Sequence, residues 1–373
     1  MIEMDLLKRI TAPTLLLNKD RAVKNIERMA AKAQRSGVRF RPHFKTHQSA
    51  EIGEWFKDFG VRSITVSSLD MAGYFARNDW RDITVAFPVN IREMDKINQL
   101  ANRIQLNLLI ESKDALKYLR QHVTSPVQLW IKIDTGYKRT GIPWDRSDEI
   151  FQIVEEINQA PLLNFSGIIT HSGHTYKTST KDAVKEIYRD TVSKMKQVRE
   201  LLLSAGIDSL EISIGDTPSC SIVEDFSEVD EIRPGNFVFY DVMQLAIGSC
   251  AEEDIAVAVV CPVVAKHEDR NEIVIYGGAV HLSKDFILEN GRKIFGRIAL
   301  PQATGWSSLI PDCYASSLSQ EHGIVTASDA LFDEAKTGDV LMVLPVHSCL
   351  TANLMKVYHT LQDQKINTIH NSN

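Results

Sequence analysis

In VRFRPHFKTH, residues 38–47, the polar residues Arg41, His43, Lys45 and His47 fall at every second position after an apolar start. Alternate residues of an extended strand share a face, so these four side chains are expected to line one side of a strand. An exposed edge would explain that face by solvation alone. The sharper alternative is the inner face of a strand that opens on a reaction site, with Lys45 at its chemical centre.

Seven more runs of the same kind follow: SITVSS (63–68), DITVAF (82–87), IQLNLLI (104–110), VQLWIKID (127–134), FSGIITH (165–171), LEISIG (210–215) and EIRPGNF (231–237). Between them lie segments such as SAEIGEWFKDFG (49–60) and TVSKMKQVRELLLSAG (191–206), with apolar residues three and four apart. Eight short β-branched runs joined by helical links predict a (β/α)8 barrel, a TIM barrel, over residues 14–242. A doubly wound open sheet is the runner-up, weakened because no GxGxxG follows the first strand.

From residue 243 to 373 the texture changes. AVAVVCPVVAKH (256–267), NEIVIYGGAV (271–280), HGIVTAS (322–328) and GDVLMVLPVHSC (338–349) read as strands separated by turns, with little helical periodicity. This predicts a second, β-rich domain. Residues 1–13, ahead of TAPTLLLN, are expected to pack with it, because domain termini often lie close together.

Hydrophobic residues make up 44% of the chain and charged residues 24%, ordinary values for a soluble globular protein with a large core. A formal net charge of −6 argues against a nucleic-acid face or a polybasic membrane patch. The N-terminus has no secretory apolar region, and no run approaches the ~20 apolar residues of a membrane span. Five cysteines at irregular spacing, with no CxxC, fit free thiols in a reducing compartment, so a cytoplasmic setting is expected.

Barrel active sites form at the C-terminal ends of the strands, and phosphate sites often follow the last two. Lys45 lies near the end of the first predicted strand, DTGYKRTG (134–141) ends the fifth, and THSGHTY (170–176) the sixth. GDTPS (215–219) ends the seventh, and RPGN (233–236) begins the eighth. Each motif alone is ordinary: a strand lysine is usually structural and GDTP is usually a turn. Their convergence on one rim is not. Two glycine-containing turns offer N–H groups to an anion, helped by the Thr217 hydroxyl. A lysine facing such a cradle describes a pyridoxal 5'-phosphate site, in which the amine carries the cofactor. Arg139 is a candidate donor to the cofactor ring oxygen, and Tyr176 a candidate contact to cofactor or substrate.

PVHSCLTAN (345–353) places His347 and Cys349 two apart. In extended backbone both would point to one side, as imidazole and thiolate ligands of zinc or a similar ion require. A buried cysteine beside a partly exposed histidine is the bland alternative. Two protein ligands leave positions open for water or substrate, which suits catalysis better than structure.

The chain resembles the D-serine dehydratase and D-threonine aldolase family, fold-type III pyridoxal-phosphate enzymes with an alanine-racemase-like barrel and a C-terminal β domain. The resemblance rests on RPHFKTH, DTGYKRTG, HSGHTY, GDTPSC, EIRPGNFVFYD, LSKD, QEHG and PVHSC, in that order. It implies that Lys45 carries the cofactor and that Tyr176, Thr217, Gly235 and Asn236 lie around it. It also implies that His347 and Cys349 hold a divalent metal, zinc ahead of manganese, and that the enzyme is a homodimer. A cysteine rather than an aspartate in HSC leans towards dehydration of a D-β-hydroxy amino acid to a 2-oxo acid and ammonia. Gly and His in YGGAVHLSKD depart from the family pattern and leave the substrate open among serine, threonine and 3-hydroxyaspartate. Retro-aldol cleavage to glycine and an aldehyde is the rival reading, ahead of an amino-acid racemase. A non-catalytic cofactor carrier would leave the second domain and the HxC pair unexplained.

Overall fold

The structure, a computed structural model, describes residues 4–371. Two compact units divide the chain. One comprises the chain up to Ile26, Thr46–Trp55 and the chain from Asn236 onward; the other comprises Glu27–Lys45 and Phe56–Gly235. The expectation for residues 1–13 falls in part, at residues 1–3, outside the described residues.

The second unit is a nearly closed parallel barrel. Its eight strands run in the order Arg39–Phe40, Glu231–Ile232, Glu211–Ile214, Leu163–Ile169, Val127–Asp134, Gln105–Ile110, Asp82–Pro88 and Ser63–Val66. An isolated parallel bridge from His43 to Thr65 joins the last strand back to the first. Parallel strands need crossovers, and the sequence supplies them with helix-start signals. Ser68 caps Leu69–Arg77, Ser112 caps Lys113–His122 and Thr180 caps Lys181–Ser204, each side-chain oxygen accepting a backbone N–H of the first turn. Six of the eight barrel strands fall within the β-branched runs of the sequence; Asp82–Pro88 runs one residue past its run and Leu163–Ile169 starts two residues before its own.

A buried polar chain crosses the barrel interior. Arg41, 2% exposed, donates from Nε to Glu231 at 2.6 Å and from Nη1 and Nη2 to Asp82 at 2.6 and 3.0 Å. Asn107 donates to Asp82 at 2.8 Å and accepts from the Trp130 indole at 3.1 Å. Ser213 donates to Glu231 at 2.6 Å, and Arg233 Nε donates to Ser213 at 2.6 Å. Burial alone would raise the Glu231 pKa, but Arg41 and Arg39 outweigh it and hold the carboxylate at about 2.

The first unit is built on one mixed, mostly antiparallel sheet. Its order is Glu272–Tyr276, His322–Thr326, Tyr314–Leu318, Gly296–Ala299, Val340–Pro345, Val257–His267, Thr14–Leu17, Val357–Thr360 and Lys365–Asn367. Glu272–Tyr276 also pairs with Val257–His267. Thr14–Leu17 is a strand of this sheet, antiparallel to Val257–Val260 and parallel to His359–Thr360. All five cysteines are free thiols, and no helix among the described residues is long and apolar enough to cross a membrane.

Candidate functional site

The expected continuous strand through Lys45 is not formed. Regular pairing stops at Phe40, His43 makes only the isolated bridge, and residues 44–47 form a turn. Pro42 and Pro234 explain the break: neither has an N–H for the ladder, so beyond Phe40 only single backbone bonds to the Glu231–Ile232 side remain, from Arg41 N–H to the Ile232 carbonyl at 3.0 Å and from His43 N–H to the Pro234 carbonyl at 2.9 Å. The four alternating residues therefore do not share a face. Arg41 turns into the barrel, His47 is buried in the other unit, His43 is half-buried and Lys45 is exposed. Phe44 is the anchor of the turn. Its fully buried ring packs on Phe56, Phe75 and Trp80 at centroid distances of 4.9, 5.0 and 5.1 Å. The Lys45 N–H donates to His43 Nδ1 at 3.3 Å.

Near Lys45 the barrel carries a cluster of cations around one imidazole. His171 lies two residues past the end of the strand Leu163–Ile169, with Nδ1 bonded to the Gly215 carbonyl. Burial first, then the charges of Lys45 and Lys132, push His171 well below its usual pKa, so the ring is neutral. Lys132, 6% exposed on the strand Val127–Asp134, is pushed down to about 7 by burial and by Arg233 and Arg139. Arg139 is exposed, its guanidinium 5.0 Å from the Tyr137 ring centroid. Tyr176 is half-buried, and its hydroxyl accepts from the Thr217 N–H at 3.1 Å. Asp216 caps the short helix Thr217–Ile222 and accepts from Ser219 N at 2.8 Å and Thr175 Oγ1 at 2.9 Å. Thr217 Oγ1 is buried with no hydrogen-bond partner. Gly235 is buried at the end of this unit's chain, and Asn236 opens the next segment of the other unit.

In that unit the strand Val340–Pro345 leads into the helix Ser348–Met355, with His347 at its N-cap and Cys349 in its first turn. The pair is therefore not extended, as the spacing alone suggested. The extended backbone of His347 (φ −134°, ψ 95°) followed by helix still brings the imidazole and thiol into hydrogen-bond contact. His347 Nδ1 lies 2.7 Å from Asp285 Oδ2. Burial would lower the His347 pKa, but Asp285 and Cys349 outweigh it and push it up to about 11. The same hydrogen bond holds Asp285 below the usual carboxylate range. Cys349 Sγ lies 3.2 Å from Thr46 Oγ1 and 3.7 Å from Asn236 Nδ2. Asn236 also donates to Asp241 at 2.5 Å and Ser348 Oγ at 3.1 Å, while its own Oδ1 is buried without a hydrogen-bond partner. Asp241 in turn accepts from Ser348 N at 3.0 Å, fixing the start of the Cys349 helix.

The alanine racemase N-terminal domain family matches residues 17–242, and the putative serine dehydratase domain family matches residues 256–361. The chain belongs to the D-serine dehydratase and D-threonine aldolase family of fold-type III pyridoxal-phosphate enzymes. A D-serine dehydratase of Dictyostelium discoideum is 28% identical, covering 99% of this chain and 97% of that protein. A D-threo-3-hydroxyaspartate dehydratase of Delftia sp. (strain HT23) is 27% identical, with 96% of each chain covered. The structure of the Delftia enzyme superposes with a TM-score of 0.89 at 26% identity, over 97% of this chain and 98% of that one. That enzyme has also been solved as a cysteine-to-alanine mutant in the metal-free form, with a TM-score of 0.88 at 26% identity over 97% of this chain and 98% of that one. A histidine-to-alanine mutant of it gives a TM-score of 0.89 at 26% identity over 97% of this chain and 96% of that one. Its two mutated positions are two residues apart, as His347 and Cys349 are.

The residues present suit the family's cofactor. Thr217 Oγ1 is a buried hydroxyl with unused hydrogen-bonding capacity, which a phosphate would satisfy. The positive charges of Lys45, Lys132 and Arg139 act together on one buried imidazole, an arrangement that an anion offsets. For a metal, His347 and Cys349 supply an imidazole and a thiol in contact. Among the described residues, no group of three or more His, Cys, Asp and Glu side chains could hold an ion.

The sequence did not single out His171, Lys132, Arg233, Thr46 or Asp285. Most lie inside motifs it did single out, but nothing in local spacing says that a strand lysine is buried among arginines or that Asp285 meets a histidine 62 positions away.

Proposed function

We propose that this chain is a pyridoxal-phosphate- and metal-dependent lyase that dehydrates D-β-hydroxy amino acids to a 2-oxo acid and ammonia. The observation that carries the reading is the contact of Cys349 with Thr46. Thr46 follows Lys45 directly in the chain, and its hydroxyl lies 3.2 Å from the Cys349 sulfur, which itself contacts His347. Within the first unit, the cysteine assigned to the metal is thus one hydrogen bond from the residue that follows the cofactor lysine in the chain.

Lys45 would carry the cofactor, with Thr217, Tyr176 and Gly235 about its phosphate, Arg139 towards its ring oxygen and Asn236 nearby. When bound, pyridoxal phosphate supplies an electron sink for the pair left by the substrate's Cα–H bond. Lys45 Nζ, freed when the substrate's amine takes its place on the cofactor, would be the base that takes this α-proton. His347 and Cys349 would hold the divalent ion, whose charge offsets the negative charge that develops on the departing β-hydroxyl. A thiolate and imidazole pair favours zinc over hard magnesium. His171, held neutral, adds no further positive charge to the cation cluster. The reading places the enzyme as a homodimer in the cytoplasm, where five free thiols persist.

The test is a panel of D-serine, D-threonine and D-threo-3-hydroxyaspartate, with 2-oxo acid and glycine both quantified. Release of 2-oxo acid supports the dehydratase. Glycine and aldehyde as the main products would replace it with the retro-aldol reaction, and no turnover of any of the three would remove the lyase reading.

A further inference from the structure

LSKD, residues 282–285, belongs to the motifs of the sequence but has no part in the chemistry assigned so far. The segment is a strained turn. Ser283, at the end of the short helix Ala279–Leu282, has φ +71°, a region that a side chain other than glycine rarely adopts. Two bonds hold it there: Ser283 N–H donates to the Ala279 carbonyl at 2.9 Å, and Asp285 N–H donates to Ser283 Oγ at 3.2 Å. A third tie comes from the helix that carries Cys349, whose Thr351 hydroxyl donates to the Leu282 carbonyl at 3.3 Å. The turn therefore delivers Asp285 against the edge of His347, Oδ2 to Nδ1 at 2.7 Å.

A carboxylate only accepts, so Nδ1 keeps its proton and Nε2 is the nitrogen that gives up its proton when an ion binds. Asp285, His347 and Cys349 do not form a three-ligand group among the described residues, which argues against Asp285 as a third ligand. We propose that Asp285 is a positioning residue for the metal pair: held by the Ser283 turn, it fixes the tautomer and ring orientation of His347 so that Nε2 is presented to the ion. This inference rests on the metal reading of His347 and Cys349.

Cobalt(II) is the probe, because thiolate coordination gives it a charge-transfer absorption that reports binding without turnover. The purified holoenzyme, stripped of divalent ions and titrated with cobalt(II), should bind one equivalent per chain with that band. Asp285→Ala should weaken the affinity by about 10- to 100-fold, the usual cost of losing the partner of a metal-bound histidine. Asp285→Asn, whose amide oxygen still accepts from Nδ1, should fall between alanine and wild type. Pyridoxal-phosphate content and circular dichroism, measured on each variant, should match wild type and exclude a folding defect. Wild-type affinity in Asp285→Ala, or equal losses in the alanine and asparagine variants, would overturn the positioning role alone. A wild-type protein with no cobalt–thiolate band would overturn the metal reading and this inference with it.

Discussion

At the scale of single residues, the chemistry rests on side chains whose hydrogen-bonding capacity is left over by the fold. Thr217 is the clearest of these in the barrel. Its N–H is already given to the Tyr176 hydroxyl, while its own buried hydroxyl has no hydrogen-bond partner. A hydrogen bond to a charged group contributes about 1.5–3 kcal/mol. Thr217→Val should therefore weaken pyridoxal-phosphate retention by roughly ten- to a hundredfold, measured by dialysis against free cofactor, with little change in thermal stability. If the variant holds its cofactor as tightly as wild type, the phosphate lies elsewhere.

At the scale of elements, the turn at residues 44–47 does what a longer strand was expected to do. Phe44 seats it in an aromatic cluster, and Pro42 and Pro234, without N–H groups, end regular pairing before it. Phe44→Ala should cost about 3–5 kcal/mol by opening a cavity and should also loosen cofactor binding through Lys45. Phe44→Leu should recover most of both, and chemical denaturation with cofactor quantification measures the pair. An unchanged cofactor affinity in a destabilised Phe44→Ala protein would separate the turn from the site. The strands themselves were readable because a parallel sheet buried on both faces demands β-branched runs, and all eight runs supplied them. The ends of the elements were not. The alternation in RPHFKTH suggested one polar face, yet the backbone divides it among the barrel interior, the turn and the other unit. His347 and Cys349 likewise looked like strand neighbours and instead straddle a helix start. Their meeting was legible in the spacing, but its geometry was not, because it depends on Asp241 and Asn236 more than 100 residues earlier.

At the scale of the whole molecule, the barrel tolerates a buried arginine because its partners are complete. Glu231 is fully buried between Arg39 and Arg41. Removing one partner of a buried pair typically costs 3–5 kcal/mol, so Glu231→Gln should destabilise the protein by about 3 kcal/mol at neutral pH. The pH dependence has a definite sign. Glu231 is held at about 2 in the fold against an ordinary value of 4.5, so its contribution is fully present above about pH 4.5. It is lost as pH falls through about 2, where the protonated acid resembles the amide. The stability gap between wild type and Glu231→Gln should accordingly shrink across that window. A gap that stays constant down to pH 2 would show that the charge of Glu231 does not hold the network together.

The assignment of proton removal to Lys45 and hydroxyl departure to the ion held by His347 and Cys349 is tested by running the two steps apart. In deuterium oxide, α-deuterium uptake into recovered D-serine and 2-oxo acid release are measured side par side for wild type, chelated wild type and Cys349→Ala. Chelation and the substitution should both abolish 2-oxo acid release while slow deuterium uptake persists, since Lys45 remains in place. Undiminished 2-oxo acid release by protein verified to be free of metal would contradict the account.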